Sequence, residues 1–323
     1  MTPEATLHEP SSDVATLTVA ICTYNGGDRL GPLVTALRQQ ATTVDGVRVE
    51  ILVVDNNSTD ATPAVVASFG EDGVPVRRVL ESQQGIPFAR NRAVAEAPGP
   101  YLAFIDDDEL PRPCWLATAL DALRNEGAQC VGGKIEVVFP GGERPRWMIP
   151  AVEAFLGRID HGDTAAWVTD TSIPIYSGNV AYDVASLGGQ LHFDTRYNRA
   201  GAGIGGGSDG ILFRQLVGAR ARLRYRPEMV IEHHVGGDKL RRRYFLRLHF
   251  KGGVRHGAYQ YPDYRRQVLG VPPFLVVQAV RQAGRALKLF ARRDPYALRQ
   301  TMNLTFDLGC MVGCYRRWRG RHG

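Results

Sequence analysis

The residues best suited to chemistry in this sequence are Ile105-Asp106-Asp107-Asp108-Glu109-Leu110, which close the apolar run Tyr101-Leu-Ala-Phe-Ile105. A short apolar run ending in turn residues reads as a buried strand. Its carboxylates then stand at the strand's carboxyl end, the edge where open α/β sheets bind ligands. Three adjacent aspartates repel one another, so a cation must offset the repulsion. Hard oxygen ligands suit Mg²⁺ or Mn²⁺, and such an ion commonly bridges to phosphates. A solvated acidic turn, ahead of a helix beginning near Pro113, is the plainer account of the same residues.

The elements that must position this cluster alternate between strand-like and helix-like segments. Strands are expected over 17–22, 49–54, 76–80, 101–106 and 130–139. Helices are expected over 28–40, after Ser58 or Thr59 as an N-cap, over 87–97 and over 115–125. Such alternation predicts an α/β fold, a mainly parallel sheet wrapped by helices. It lines up Thr23–Asn25, Asp55 and Asp106–Asp108 along one edge. The pattern weakens over 140–170, a Pro-, Gly- and Trp-containing excursion or lid. A flexible glycine-rich loop at 201–207 leads into Ser208, Asp209 and a helix over 211–217. One more strand is expected at 229–231, and residues 1–13 are expected to form a loose tail.

The chain has 323 residues, 44% hydrophobic and 22% charged, which suits one large or two modest globular domains and excludes a disordered chain. The net charge of +6 hides a division: residues 1–218 carry −11 and residues 219–323 carry +17. A basic end on an acidic body suggests that this end faces nucleic acid or a lipid surface. Within it, Val276, Ala279, Val280, Ala283, Leu287 and Phe290 recur at helical spacing, with Gln278, Arg281, Arg285, Lys288 and Arg292 largely off that stripe. A helix lying in a membrane interface and a helix packed on its own domain both fit. Five cysteines, Cys22, Cys114, Cys130, Cys310 and Cys314, do not form a disulfide framework. With no signal peptide and no apolar stretch of about 20 residues, the expected location is cytoplasmic, or peripheral to the inner face of the cell membrane.

Four segments carry a resemblance. Val19-Ala-Ile-Cys-Thr-Tyr-Asn25, Ile51-Leu-Val-Val-Asp-Asn-Asn-Ser-Thr-Asp60, Gly85-Ile-Pro-Phe-Ala-Arg-Asn-Arg92 and Phe104-Ile-Asp-Asp-Asp108 occur in this order. Together they resemble the family 2 glycosyltransferases, inverting enzymes with the GT-A fold, over roughly residues 15–255. The resemblance implies a nucleotide-sugar-binding half at 14–140, an acceptor-binding half at 141–255 and a helical basic C-terminal extension at 256–323.

It also implies roles. Asp55 would contact the donor base, in a pocket walled by Thr23, Tyr24 and Asn25. Arg90 would approach the diphosphate or ribose, as its rigid donor fork suits phosphate. Asp106 would face the ribose and Asp108 would ligate Mn²⁺ or Mg²⁺, with Asp107 pointing away or supporting them. Gly178 and Asn179 match a loop against the donor sugar and acceptor, though an Asx-turn explains Asn179 nearly as well. Asp209 stands where the family has its base. Ser208 departs from the glutamate frequent beside it, and an N-cap is the plainer role for Asp209. His233, with His234 or neither as the alternatives, would complete the metal shell or contact the diphosphate, and the basic run 241–247 would neutralise phosphates of a donor or of a lipid-linked acceptor.

The implied activity is inverting hexosyl transfer from a nucleotide-diphospho-sugar, UDP favoured, to a hydroxyl on a glycan, lipid-linked or small-molecule acceptor. A nucleotidyltransferase acting on sugar phosphates is a second possibility, weakened because Thr-Tyr-Asn-Gly-Gly-Asp lacks the cations of a pyrophosphate loop. A silent sugar-nucleotide or nucleic-acid binder is a third, but no nucleic-acid motif is present and no nucleic acid is expected.

Overall fold

The computed structural model describes residues 14–70, 73–198 and 207–322. The expected tail at 1–13 and most of the glycine-rich loop lie outside them. The strands are β1 (Thr16–Thr23), β2 (Arg48–Asp55), β3 (Val76–Leu80), β4 (Tyr101–Asp106), β5 (Glu109–Pro111), β6 (Cys130–Gly132), β7 (Ile135–Val138), β8 (Ala166–Val168), β9 (Asn179–Asp183), β10 (Leu223–Tyr225) and β11 (Ile231–His234). The helices are α1 (Gly27–Ala41), α2 (Thr62–Ala67), α3 (Ile86–Glu96), α4 (Trp115–Arg124), α5 (Pro150–Glu153), α6 (Val184–Leu187), α7 (Ser208–Gly218), α8 (Arg242–Tyr259), α9 (Pro273–Ala291) and α10 (Ala297–His322).

Among the described residues, one sheet runs β3-β2-β1-β4-β9-β6-β10-β8 and a smaller one runs β5-β11-β7. Strands β3, β2, β1 and β4 are mutually parallel, while β9 enters antiparallel between β4 and β6. The GT-A-type expectation of a mainly parallel sheet flanked by helices is met. Strands from both expected halves share the large sheet, and α8 runs across the boundary expected at residue 255.

The near-continuous apolar runs of β1, β2 and β4 follow from burial on both faces. Leu17, Val19, Ile21, Ile51, Val53 and Ile105 pack on one side with Leu30, Leu33 and Leu37 of α1 and Trp115 and Leu116 of α4. Ala20, Leu52, Val54, Leu102 and Phe104 pack on the other with Ala89 and Ala93 of α3 and Leu212, Phe213 and Leu216 of α7. Each fully buried Leu or Ile contributes about 1.5–3 kcal/mol, so these strands form a rigid base for their carboxyl ends.

Two local expectations are corrected. The segment 130–139 is two strands in two sheets, not one. The break falls at Gly133, where a Cβ would lie 2.0 Å from the Met229 carbonyl, so the chain turns out of the large sheet. Ser58 and Thr59 do not cap α2. Its first residue, Thr62, is held by Asp60, whose Oδ1 accepts from the Thr62 amide at 3.0 Å. Ser58 Oγ accepts instead from the Asn25 amide.

The excursion at 140–170 is packed: Met148, Val152 and Leu156 bury against Phe245 of α8 and Met302 of α10. Helices α8 and α10 approach through paired glycines. A Cβ on Gly253 or Gly257 would meet the Phe306 or Cys310 carbonyl at 2.0 and 2.1 Å. One on Gly309 or Gly313 would meet the Phe250 or Val254 carbonyl at 2.1 Å. Cys310 and Cys314 are buried in this region as free thiols.

Candidate active site

Parallel register places Thr23 opposite Asp55 and Cys22 opposite Asp106, so the carboxyl ends of β1, β2 and β4 form one ledge. Asp55 is wholly buried. Its Oδ1 accepts from the Ser58 amide at 2.8 Å, and its Oδ2 accepts from Arg78 Nε and Nη2 at 2.9 and 2.6 Å. A buried carboxylate needs such partners. Asn25 adopts φ +53, and its Oδ1 accepts from the Thr59 amide at 2.8 Å, which ties the loops after β1 and β2 together. Tyr24 lies half-buried in that loop.

The three aspartates point to different partners. Asp106 Oδ1 accepts from Nη2 of buried Arg90 at 3.2 Å, and Arg90 stacks over the Phe193 ring at 5.6 Å. Asp107 Oδ2 accepts from the Thr23 hydroxyl at 2.5 Å and from Arg29 Nη2 at 2.9 Å. Burial pushes its carboxyl up, against the pull of Arg29 and Thr23. That oxygen is committed to the protein, so Asp107 braces the turn.

Asp108 Oδ2 accepts from Lys239 Nζ at 2.9 Å and lies 3.3 Å from His233 Nε2. Burial alone would raise its carboxyl, but the hydrogen bonds and positive charge of His233 and Lys239 outweigh it and hold the group well below the usual carboxylate range. Strand pairing explains the convergence: β11 runs antiparallel to β5 with His233 opposite Glu109, and the His234 amide donates to the Asp108 carbonyl at 2.8 Å. The His234 ring instead lies 3.9 Å from Glu232, so His233 is the histidine that meets Asp108.

These residues fit a divalent ion. Cis ligands of an octahedral ion with bonds of 2.0–2.1 Å stand about 3 Å apart, close to the Asp108–His233 separation. The same spot already draws a cation, Lys239 Nζ, which lies 3.4 Å from His233 Nε2. Among the described residues no group of three or more His, Cys, Asp or Glu forms a closed metal site. Further ligands would come from a bound diphosphate or water.

Next to this edge opens a cavity of about 660 Å³ lined by Arg90, Asp106, Glu109, Gly178, Asp209 and His233 among others. Asp209 sits in the first turn of α7. Gly207, at φ +132, is the N-cap residue, and the Asp209 carboxylate accepts from the Gly210 amide at 2.9 Å. The N-cap expectation for Asp209 is therefore corrected: it is already helical, and its side chain lines the cavity. Ser208 is buried with an unpartnered Oγ. Helix α8 supplies His249 and His256 to the far wall, each held below the usual imidazole range by burial.

Asn179 does not face this cavity as a sugar donor, nor does it form an Asx-turn. Its Nδ2 donates to the Lys134 and Met229 carbonyls at 2.8 Å each, and its Oδ1 accepts from Trp115 Nε1 at 2.7 Å. Both amide hydrogens are used, so Asn179 pins β9 to its neighbours.

Sequence reasoning missed Arg78, Arg29 and Lys239, and it named Glu109 in the acidic cluster without a role of its own. Glu109 is buried beneath Asp106 and Asp108, and its Oε2 accepts from the Asp106 amide at 2.8 Å. Burial first, then the charges of Asp106 and Asp108, raise its carboxyl well above the ordinary value. A Cβ on Gly178 would lie 2.5 Å from Glu109 Oε1, which explains the glycine there.

The profile of "Glycosyl transferase family 2" matches residues 18–187. Glycosyltransferase AglE of Haloferax volcanii is 31% identical over 133 residues, 41% of this chain and 43% of that protein. Succinoglycan biosynthesis protein ExoM of Rhizobium meliloti is 26% identical over 260 residues, 79% of this chain and 76% of that protein. The chain thus spans less than half of the first relative and about three quarters of the second. In fold it is similar to mannosyltransferase PcManGT from Pyrobaculum calidifontis, solved with GDP-Man and Mn²⁺, at TM-score 0.54 and 19% identity, covering 93% of this chain and 86% of that one.

Proposed function

The chain belongs to glycosyl transferase family 2, and from that membership we propose that it moves a sugar from a nucleotide-diphospho-sugar to a hydroxyl acceptor, with inversion at the anomeric carbon. The observation that carries this is the convergence of Asp108 and His233 at the sheet edge, with Asp209 on the wall of the adjoining cavity.

In this proposal the donor base lies against Asp55, whose orientation Arg78 and the Ser58 amide fix. Uridine is the favoured base on the resemblance of the four segments. Arg90, anchored by Asp106, faces the phosphates or ribose. Asp209 takes the proton of the acceptor hydroxyl as that oxygen attacks the anomeric carbon. The acceptor occupies the cavity between Asp209 and α8. Lys239 supplies positive charge where the leaving nucleotide gathers negative charge. Mn²⁺ or Mg²⁺ held by Asp108 and His233 would supply Lewis-acid stabilisation of the departing nucleoside diphosphate.

Thermal-shift screening of sugar nucleotides with and without Mn²⁺ tests the donor class, because a ligand bound only by the native state raises Tm. Release of a nucleoside diphosphate on adding acceptor tests the reaction. Release of pyrophosphate from a nucleoside triphosphate and a sugar phosphate would overturn the proposal in favour of nucleotidyl transfer.

A further inference from the structure

Helix α9 carries three distinct faces. Leu275, Ala279 and Ala286 are buried, and Leu275 packs with Cys310 and Cys314 of α10. At 100° per residue, Val276, Val280, Leu287 and Phe290 form a second apolar row about a quarter of a turn away. That row is open to solvent, with Val280 67% and Leu287 70% exposed. On the other flank of the exposed surface, well over a third of a turn from the apolar row, Arg281, Arg285 and Lys288, with Arg292 just past the helix end, form a third row, all exposed, and α9 carries no acidic residue. Arg281 and Arg285 also border a shallow recess of about 640 Å³ together with Phe274, Val277, Gln278 and Gln282.

We propose that α9 docks the protein on an anionic lipid surface, its Val276–Val280–Leu287–Phe290 row entering the acyl boundary and its basic row meeting lipid phosphates. One face already buried on α10 fixes the helix to the fold, so the exposed apolar row is surplus to packing. Charge identifies the occupant: residues 219–323 carry +17, and basic side chains near an anionic leaflet each add about 1 kcal/mol of attraction. A second copy fits poorly. A few side chains of one helix fall short of the about 800 Å² per partner of a stable interface. Nucleic acid would use the basic row and leave the Val, Leu and Phe side chains without a role. No helix among the described residues is long and apolar enough to cross a membrane, so the contact is with the surface. The inference rests on α9 and the basic charge of residues 219–323 and is independent of the proposed sugar transfer.

The test is sedimentation of the full chain with vesicles of phosphatidylcholine alone or mixed with phosphatidylglycerol. The chain should pellet with the mixed vesicles, less so at high salt. Val280→Asp with Leu287→Asp should lower that partitioning by about tenfold or more, and Arg281→Glu with Arg285→Glu by at least about fivefold per reversed charge. Both variants should keep the circular dichroism and Tm of the parent, because the altered side chains are exposed. No pelleting with the mixed vesicles, or pelleting equal in both variants and parent, overturns the proposal. A dimer in light scattering that Leu287→Asp splits, without vesicle binding, overturns it in favour of self-association. Salt-sensitive binding to heparin without vesicle binding overturns it in favour of a polyanion partner.

Discussion

His233 Nε2 stands 3.3 Å from Asp108 Oδ2, and Lys239 Nζ lies within hydrogen-bonding reach of that same carboxylate oxygen, at 2.9 Å. A divalent ion at this point would compete with the ammonium for one oxygen. Lys239→Met should therefore tighten Mn²⁺ binding in the absence of nucleotide by about tenfold, the order expected for removing one partly solvated charge within about 4 Å. Asp108→Ala should abolish the Mn²⁺-dependent part of any thermal stabilisation by a sugar nucleotide. Titration calorimetry decides the first; Mn²⁺ affinity unchanged by Lys239→Met would mean the two cations do not share the site. Undiminished Mn²⁺ linkage in Asp108→Ala would remove Asp108 as a ligand.

Asp209 lines the cavity, and among the described residues its carboxylate is bonded only locally, to the Gly210 amide. Substitution by Asn keeps shape and hydrogen bonding but cannot accept a proton. Asp209→Asn should keep donor-linked stabilisation and lose about 10²–10⁴-fold in turnover. Full turnover in this variant would assign proton removal elsewhere, whereas lost donor binding would make Asp209 a binding residue.

Glu109 and Asp108 should have opposite effects on stability against pH. Glu109 is raised by burial and by its acidic neighbours, so its contribution is fully present below the unfolded value of about 4.3 and is lost as pH rises through the folded value. Glu109→Gln keeps an acceptor for the Asp106 amide and does not titrate. It should match the parent in acid and exceed it in Tm near neutrality. Asp108 is lowered, so its contribution is present above the unfolded value of about 3.9 and fades as pH falls through the folded value. Asp108→Asn should lower Tm near neutrality, with the deficit closing in acid. Tm series across pH for the two variants check both signs, and parallel curves would refute them.

Much of the fold was legible because the strands that build the ledge are buried on both faces. The runs at 17–22, 49–54 and 101–106 stop at Thr23, Asp55 and Asp106, and the structure ends β1, β2 and β4 at those residues. The 130–139 segment misled because two short strands in different sheets have the same apolar period as one long strand. Only the close approach of Gly133 to Met229 reveals the break. In the site, Asp106, Asp209 and His233, picked out by three separate stretches of sequence, border one cavity. Lys239 and Arg78 left no sequence signal because their partners are 131 and 23 residues away. Asn179 was misjudged for the same reason: Trp115, Lys134 and Met229 come to it from three other segments.

The Asp55–Arg78 pair allows a prediction in which stability and donor recognition separate. Two guanidinium nitrogens hold one oxygen of a carboxylate with no exposed surface, while the arginine itself is about one-third exposed. Arg78→Ala should leave that carboxylate with the Ser58 amide and little else, at a cost of about 1–3 kcal/mol. Partial exposure lets water replace some of the lost bonds, which keeps the cost below that of a fully buried pair. Arg78→Lys restores charge without the fork and should recover only part of the loss. Denaturant midpoints measure this term. If Asp55 orients a donor base, nucleotide affinity should fall in the same order, parent, Arg78→Lys, Arg78→Ala, while Mn²⁺ affinity at Asp108 and His233 stays constant. Equal nucleotide affinity in all three proteins, despite the stability loss, would leave Asp55 a purely structural carboxylate.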